Sequence, residues 1–371
     1  MSQTKKECLY GKTLTQLQEL CARESLPRFA AGQIARWLYV NRVEEIDQMT
    51  NLSLAARTRL KENYSLGLDA PLKESISQDG TKKYLFRTCK GQFIESAYIP
   101  DGDRATLCVS SQAGCRMGCR FCATGRQGLQ HSLSPNEILN QILSIPESKK
   151  LTNLVFMGMG EPLDTTDNVL QTLDIITSSW GLGWSPTRIT LSTAGVGRNL
   201  KRFLDESKVH LAISLHNPFH EEREQIMPIE KSYPIWDIAD TLRQYDFTGQ
   251  RRVSFEYIVM EGLNDSPRHI KELCRLLNGI KCRINLIRFH KIPDSPYFSP
   301  SDEKMIRFRD SLTAKGIQTT IRTSRGRIYR QLADCFRQPK NRKTIRKDDY
   351  TNRKIFPHAH GATKGAVQSL V

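Results

Sequence analysis

Apolar residues in the N-terminal part of the chain recur at three-and-four spacing, the pattern of helices that bury one face. Segments 13–20 and 30–39 carry it, and 54–60 continues it after Asn51, a candidate N-cap. A small helical domain is expected over 1–70. From about 72 to 100 the code changes to alternation, in 83–88 and again in 92–99 around Lys90-Gly91, which predicts a β-hairpin linker over 71–100. Beyond Asp101, short apolar runs near 105–110, 153–157, 187–192, 209–214, 252–259, 281–288 and 317–322 alternate with helical patterns at 134–145, 166–178, 235–244, 266–277 and 302–315. Strand and helix in alternation predict an α/β fold around a parallel sheet, flat or curled. This core is expected over 101–336. From Arg337 nine Lys or Arg stand against two Asp, with His358 and His360 and almost no aliphatic pattern before Val367. The segment 337–371 is expected to be a disordered basic tail.

Composition narrows the setting. A chain of 371 residues with 39% hydrophobic content can bury a large core. Its longest apolar runs, such as Leu154-Val155-Phe156-Met157, fall far short of the roughly 18 residues of a membrane span. The start, Met1-Ser2-Gln3-Thr4-Lys5-Lys6-Glu7, lacks the apolar stretch of a signal peptide. A cytoplasmic, reducing location is expected, without membrane attachment, and it suits 10 cysteines used as thiols or metal ligands. With 55 Lys and Arg against 39 Asp and Glu, the net charge of +16 favours a polyanionic partner. Nucleic acid is the first candidate, with plain solubility or attraction to a membrane surface as the alternatives.

Cys115, Cys119 and Cys122 lie in one short loop, Gly114-Cys115-Arg116-Met117-Gly118-Cys119-Arg120-Phe121-Cys122. A [4Fe–4S] cluster usually takes four cysteines, so three would leave one iron open for a ligand. Zinc is the competing occupant. It prefers two pairs of ligands, and the nearest histidine, His131, has no second pair beside it. Cys8, Cys21, Cys89, Cys274 and Cys282 are scattered without metal spacing and read as core or incidental.

The loop resembles the signature of the radical S-adenosylmethionine (SAM) superfamily, in which SAM occupies the open iron through its amino and carboxylate groups. Asp103-Arg104-Ala105-Thr106-Leu107-Cys108-Val109-Ser110-Ser111-Gln112 ahead of it, and Met157-Gly158-Met159-Gly160-Glu161-Pro162 beyond it, are similar to the RlmN/Cfr family of RNA adenine methyltransferases. Leu191-Ser192-Thr193-Ala194-Gly195-Val196, Ser214-Leu215-His216 and Phe255-Glu256-Tyr257 follow in that family's order, so the resemblance runs from about residue 10 to 326. It implies a partial (βα)6 barrel carrying the helical domain and the hairpin. It implies a [4Fe–4S] cluster on Cys115, Cys119 and Cys122, and SAM held by Gly160, Glu161, Ser192, Ser214, Leu215 and His216.

The reaction implied is methylation of an adenine ring carbon, C2 ahead of C8, in 23S rRNA, with tRNA as a second substrate. That carbon is electrophilic and so is a SAM methyl group, so polar displacement fails. In the family one SAM methylates a C-terminal cysteine, and a second yields a 5′-deoxyadenosyl radical that takes hydrogen from the new methyl group. The methylene radical adds to the base, and a second cysteine resolves the crosslink through a disulfide as the ring carbon loses its proton. Cys108 stands at the resolving position and Glu95 at that of the proton acceptor. An electron donor such as flavodoxin is implied, with the protein acting as a monomer.

Two positions depart from the family pattern. After Arg-Gly the family runs to Ala-Ala-Cys-Gly-Gln-Leu, with the cysteine seven residues beyond the glycine. Here Arg325-Gly326 puts Ala333 in that register, and Cys335, two residues on, is the candidate methyl carrier. His290 stands where the family places an asparagine at a SAM contact. Two rival readings therefore stand beside the methyltransferase: a radical SAM enzyme acting on another substrate, and an RNA-binding protein whose cluster is structural.

Overall fold

Ten strands form one sheet whose neighbours follow chain order. They are β1 (Lys73–Ile76), β2 (Lys82–Arg87), β3 (Phe93–Asp101), β4 (Arg104–Cys108), β5 (Asn153–Phe156), β6 (Ile189–Thr193), β7 (His210–Ser214), β8 (Val253–Val259), β9 (Cys282–Arg288) and β10 (Gln318–Ile321). The computed structural model describes residues 6–249, 251–292 and 295–323. They lie within one compact unit. Strands β1 to β4 pair antiparallel and β4 to β10 parallel, so β4 joins the two halves. All seven strands expected beyond Asp101 are present.

Alternation explains why this sheet has one covered and one polar face. Leu107, Leu154, Phe156, Leu191, Leu211 and Phe255 are fully buried. They pack with Leu139, Val169, Phe203, Leu242 and Leu273 from the crossover helices in one continuous core. Residues of opposite parity, among them Cys108, Thr190, Ser192, Ser254 and Asn285, are half-buried on the other face. The sheet does not close on itself: one edge is β10 and the other β1.

The N-terminal helices are α1 (Leu14–Arg23), α2 (Ala30–Ala35) and α3 (Leu54–Asn63), with a wider, π-helical turn over Arg36–Asn41. The cap of α3 is Ser53, whose Oγ accepts from the Ala56 N–H at 3.2 Å, and not Asn51. Asn51 instead accepts from the Trp37 indole, so its side chain is spent before the helix begins.

The crossovers are α4 (Pro135–Leu143), α5 (Thr166–Thr177), α6 (Gly197–Glu206), α7 (His220–Ile226) with α8 (Ile235–Arg243), α9 (Pro267–Leu277) and α10 (Asp302–Ala314). Helices α6 and α7 lie between the predicted elements. The hairpin between 72 and 100 has three strands where two were expected, and β3 turns through Gly102 into β4. Among the described residues no helix is long and apolar enough to cross a membrane.

Candidate active site

The cysteine loop is braced by a short antiparallel ribbon, Gln112–Cys115 against Gly128–Ser132. Glycine is required inside it: Gly114 has φ +74°, and a Cβ there would lie 1.9 Å from the Gly128 carbonyl oxygen. Gly125 is tight but less so: a Cβ there would lie 3.0 Å from the Cys119 N and O atoms. Cys115 is buried, and burial pushes its thiol up to about 12; Cys119 is raised for the same reason. The Arg223 guanidinium opposes that rise at Cys119. Cys115 and Cys119 thus resist ionisation as free thiols and need a metal to hold them as thiolates.

Glu161 is buried in the segment that follows β5. Its carboxylate accepts from the Leu163 N–H at 3.0 Å, the Thr193 hydroxyl at 2.6 Å and the Ala194 N–H at 2.7 Å. Desolvation still raises its pKa to about 7, the largest influence on it. The Glu161 N–H donates to Gln112 Oε1 at 3.0 Å, which ties the segment back to the cysteine ribbon. Gly160 has φ +102°, and a Cβ there would lie 2.7 Å from Gln112 N and 2.8 Å from Ser111 Oγ. That Ser111 hydroxyl is buried with no hydrogen-bond partner among the described residues, a group poised for a ligand atom. A tight cradle with an unmet polar atom beside three cysteines fits SAM bound to a cluster.

Ser192 lies half-buried on the polar face, and Ser214 ends β7. Leu215 contributes backbone only: its side chain is buried, its N–H donates to the Glu256 carbonyl at 3.0 Å and its own carbonyl accepts from Arg223 Nε at 2.9 Å. His216 occupies the left-handed region at φ 55°, where its Nδ1 accepts from the Ile258 N–H at 3.0 Å. Burial holds its pKa down at about 3, so the imidazole is neutral with its proton on Nε2. Its ring meets Phe121 of the cysteine loop edge-on, with centroids 4.8 Å apart.

A radical SAM superfamily model matches residues 109–277, and a model of the ribosomal RNA large subunit methyltransferase N-terminal domain matches 8–66. A probable dual-specificity RNA methyltransferase RlmN of Phocaeicola vulgatus is 56% identical over 324 residues, covering 87% of this chain and 93% of that one. The RlmN of Syntrophus aciditrophicus is 41% identical over 327 residues, with 87% and 93% covered. The chain belongs to the RlmN family of radical SAM RNA methyltransferases. A crystal structure of a radical SAM methyltransferase from Sphaerobacter thermophilus superimposes with a TM-score of 0.80 at 38% identity, covering 86% of this chain and 96% of that one. The partial barrel is therefore the family's, and membership implies SAM, a [4Fe–4S] cluster and an RNA substrate.

Within this RlmN-type frame Cys108 pairs in register with Ala97, and Glu95 precedes Ala97 by two residues, so all three share one face of the sheet. The Ser110 hydroxyl donates to the Glu95 carbonyl at 2.6 Å, and Lys83 forms an ion pair with its carboxylate at 2.9 Å. Burial raises the Cys108 thiol to about 11, opposed by the Met157 N–H and by Arg322. Burial outweighs both of these influences. His290 is exposed on the loop after β9. Cys335, Ala333 and the basic tail lie outside the described residues.

Two polar groups were not singled out from the sequence. Arg223, fully buried on α7, donates to the carbonyls of Ala194, Ser214 and Leu215 and to Glu230. On the polar face Glu256 accepts from Asn285 at 2.7 Å, Ser254 at 3.2 Å and Arg322 at 3.3 Å. The motif containing Glu256 was visible; its partners on β9 and after β10 were not.

Proposed function

We propose that the protein methylates C2 of adenine in 23S rRNA and acts on tRNA as well, through a methyl-cysteine intermediate. In this reading Cys115, Cys119 and Cys122 hold a [4Fe–4S] cluster, and Gly160, Glu161, Ser192, Ser214, Leu215 and His216 surround SAM. Bound there, cluster and SAM would supply a radical able to abstract hydrogen from a thioether methyl group. Glu95 takes the proton from the ring carbon. Once the adduct radical has given up one electron, which the oxidised cluster would accept, the Cys108 thiolate attacks the carrier sulfur of Cys335; the S–S bond forms as the S–CH2 bond breaks, and the methylene left on the base takes a proton to become the methyl group. Because burial raises Cys108, its proton must leave before attack, and Arg322 stabilises the thiolate that results.

The observation that supports these roles most directly is the placement of Glu95 and Cys108 on one sheet face beside the cysteine ribbon. The net charge of +16 and the name of the Phocaeicola relative support an RNA substrate and dual specificity. The helical domain over 1–70 and the tail over 337–371 would add phosphate contacts. A cytoplasmic monomer fed by a flavodoxin-type donor completes the reading.

A radical SAM enzyme aimed at another substrate is favoured by one observation, Ala333 in the family's cysteine register. The deciding experiment is anaerobic incubation of cluster-reconstituted protein with SAM, reductant and unmodified rRNA, followed by nucleoside mass spectrometry. Methyladenosine lost in Cys335→Ala is the expected result. Methyladenosine unchanged in Cys335→Ala removes that residue as carrier, and 5′-deoxyadenosine formed without methyladenosine overturns the rRNA reading.

A further inference from the structure

Cys89 is distant in sequence from His131 and Glu137, yet each of the three offers a donor atom and all of these atoms lie within 4.8 Å of one another. Cys89 Sγ stands 3.8 Å from His131 Nε2, and that nitrogen stands 3.3 and 3.1 Å from the two Glu137 carboxylate oxygens. We propose that these three side chains bind a zinc ion that clamps the hairpin carrying Glu95 to the ribbon carrying the cluster cysteines.

The distances from His131 Nε2, 3.8 Å to sulfur and 3.1 and 3.3 Å to the carboxylate oxygens, lie close to the edges of a zinc tetrahedron. Bonds of about 2.3 Å to sulfur, about 2.0 Å to nitrogen and about 2.1 Å to oxygen, set at tetrahedral angles, separate the ligands by roughly 3.3–3.6 Å. The soft thiol, imidazole and carboxylate make a borderline donor set suited to zinc and poorly suited to magnesium or calcium. A thiol–imidazole–carboxylate relay has a different geometry, with the acid on one ring nitrogen and the sulfur on the other. Here sulfur and carboxylate approach the same Nε2, so the donors converge on a point instead of forming a chain.

The carboxylate is already oriented for this work. Glu137 Oε2 accepts from the Ser134 N–H and hydroxyl, both at 2.9 Å, and Oε1 accepts from the Cys89 N–H at 2.8 Å. Such outer bonds fix a metal ligand in place. Cys89 and Glu137 also line an open cleft of about 950 Å³, which gives an ion and a water in the fourth position a way in. On binding, the Cys89 thiol releases its proton to solvent as the sulfur–zinc bond forms, and Nε2 binds through its lone pair.

The location gives the clamp a purpose. Cys89 sits in the turn between β2 and β3, six residues before Glu95, while His131 pairs with Ala113 two residues before Cys115. An ion there would hold the turn ahead of the proposed proton acceptor to the strand that pairs with the one leading into the cluster loop.

The test uses the full chain, cluster-reconstituted under anaerobic conditions, with zinc chloride as the probe and elemental analysis of zinc and iron together. Cys89→Ser removes the thiolate, and Glu137→Gln removes the carboxylate while keeping a residue type that completes the capping box with Ser134. The expected result is one zinc retained per wild-type chain, with affinity about tenfold lower or worse in each variant and iron unchanged. Zinc should also slow alkylation of Cys89 about tenfold, read by peptide mass spectrometry, in wild type but not in Glu137→Gln. Zinc retained equally by wild type and Cys89→Ser, zinc gained only as iron is lost, or alkylation indifferent to zinc would each overturn the proposal.

Discussion

Arg223 offers the sharpest test of how the site is held. Its guanidinium is fully buried and donates to the Ala194 carbonyl at 3.0 Å, the Ser214 carbonyl at 2.8 Å, the Leu215 carbonyl at 2.9 Å and the Glu230 carboxylate. Replacing it by Met leaves three carbonyls and a buried carboxylate short of a donor, although Glu230 keeps His220 Nδ1 at 2.9 Å and the Ile235 N–H at 3.1 Å. Removing one partner of a buried pair costs roughly 3–5 kcal/mol, and Arg223→Met should lie at the top of that range because the carbonyls are stranded as well. Glu230→Gln should cost less, about 3 kcal/mol, since the arginine keeps its carbonyl partners. At about 2–4 °C per kcal/mol, the midpoint falls by roughly 10–20 °C for the first variant and 6–12 °C for the second. Thermal unfolding of the cluster-free chains under anaerobic conditions measures both. Iron content after reconstitution adds a second readout, because Arg223 also opposes the desolvation of Cys119; it should drop in Arg223→Met and largely survive in Glu230→Gln. A loss below about 1 kcal/mol in Arg223→Met, or equal losses in the two variants, would refute the account of one side chain gathering the strand ends.

Other positions make separable claims. Gly114→Ala should lower iron incorporation severely, since its Cβ would lie 1.9 Å from the Gly128 carbonyl; normal iron content would show that the ribbon can open. Ser53→Ala should cost about 1 kcal/mol in urea unfolding through loss of the α3 cap, while Asn51→Ala should leave the helix start intact and act only through Trp37. His216 is held neutral with a folded pKa near 3 against 6.5 ordinarily. The unfolded chain therefore binds more protons in that window, and stability is lost as pH falls from about 6.5 toward 3. Between pH 6.5 and 4.5 the loss from this group is about 2 kcal/mol, and His216→Asn, which tolerates the left-handed backbone, should flatten that part of the curve; an unchanged slope would assign the acid sensitivity elsewhere.

The parallel sheet was legible because its strands are buried on the helix-covered face and leave short apolar runs between helical periods, as at Leu154-Val155-Phe156 and Leu211-Ala212-Ile213. Helix α6 has the right spacing in Leu200, Phe203 and Leu204, but glycines at 195 and 197 and a start without a side-chain cap hide its beginning. The ribbon Gln112–Cys115 has glycine and cysteine where a strand would show branched residues, so no alternation marks it. Arg223 sits among His220-Glu221-Glu222 and Glu224-Gln225, a run that looks like a solvated helix face. Only the fold shows that one of these charges turns inward. Cys89, His131 and Glu137 lie on three different elements, and no spacing rule joins donors that meet only through tertiary structure.

Motif order revealed more of this site than motif chemistry because of how the open sheet is wired. Consecutive strands are neighbours in space, so the segments leaving β5, β6 and β7 arrive at one end of the sheet in chain order. A register of short motifs after successive strands is therefore already a map of adjacency. What it omits is the framework that fixes those ends: Glu161 bridging to Thr193 and Ala194, Gln112 holding the Glu161 N–H, and Arg223 collecting the carbonyls beyond. These groups spend their polar atoms on the protein itself. Substitution there should first loosen the geometry of the pocket, whereas substitution at Cys108 or Glu95 should first change the reaction. Measuring iron content and methylation side by side separates the two: framework variants should lose both together, and Cys108 or Glu95 variants should keep the iron and lose the product.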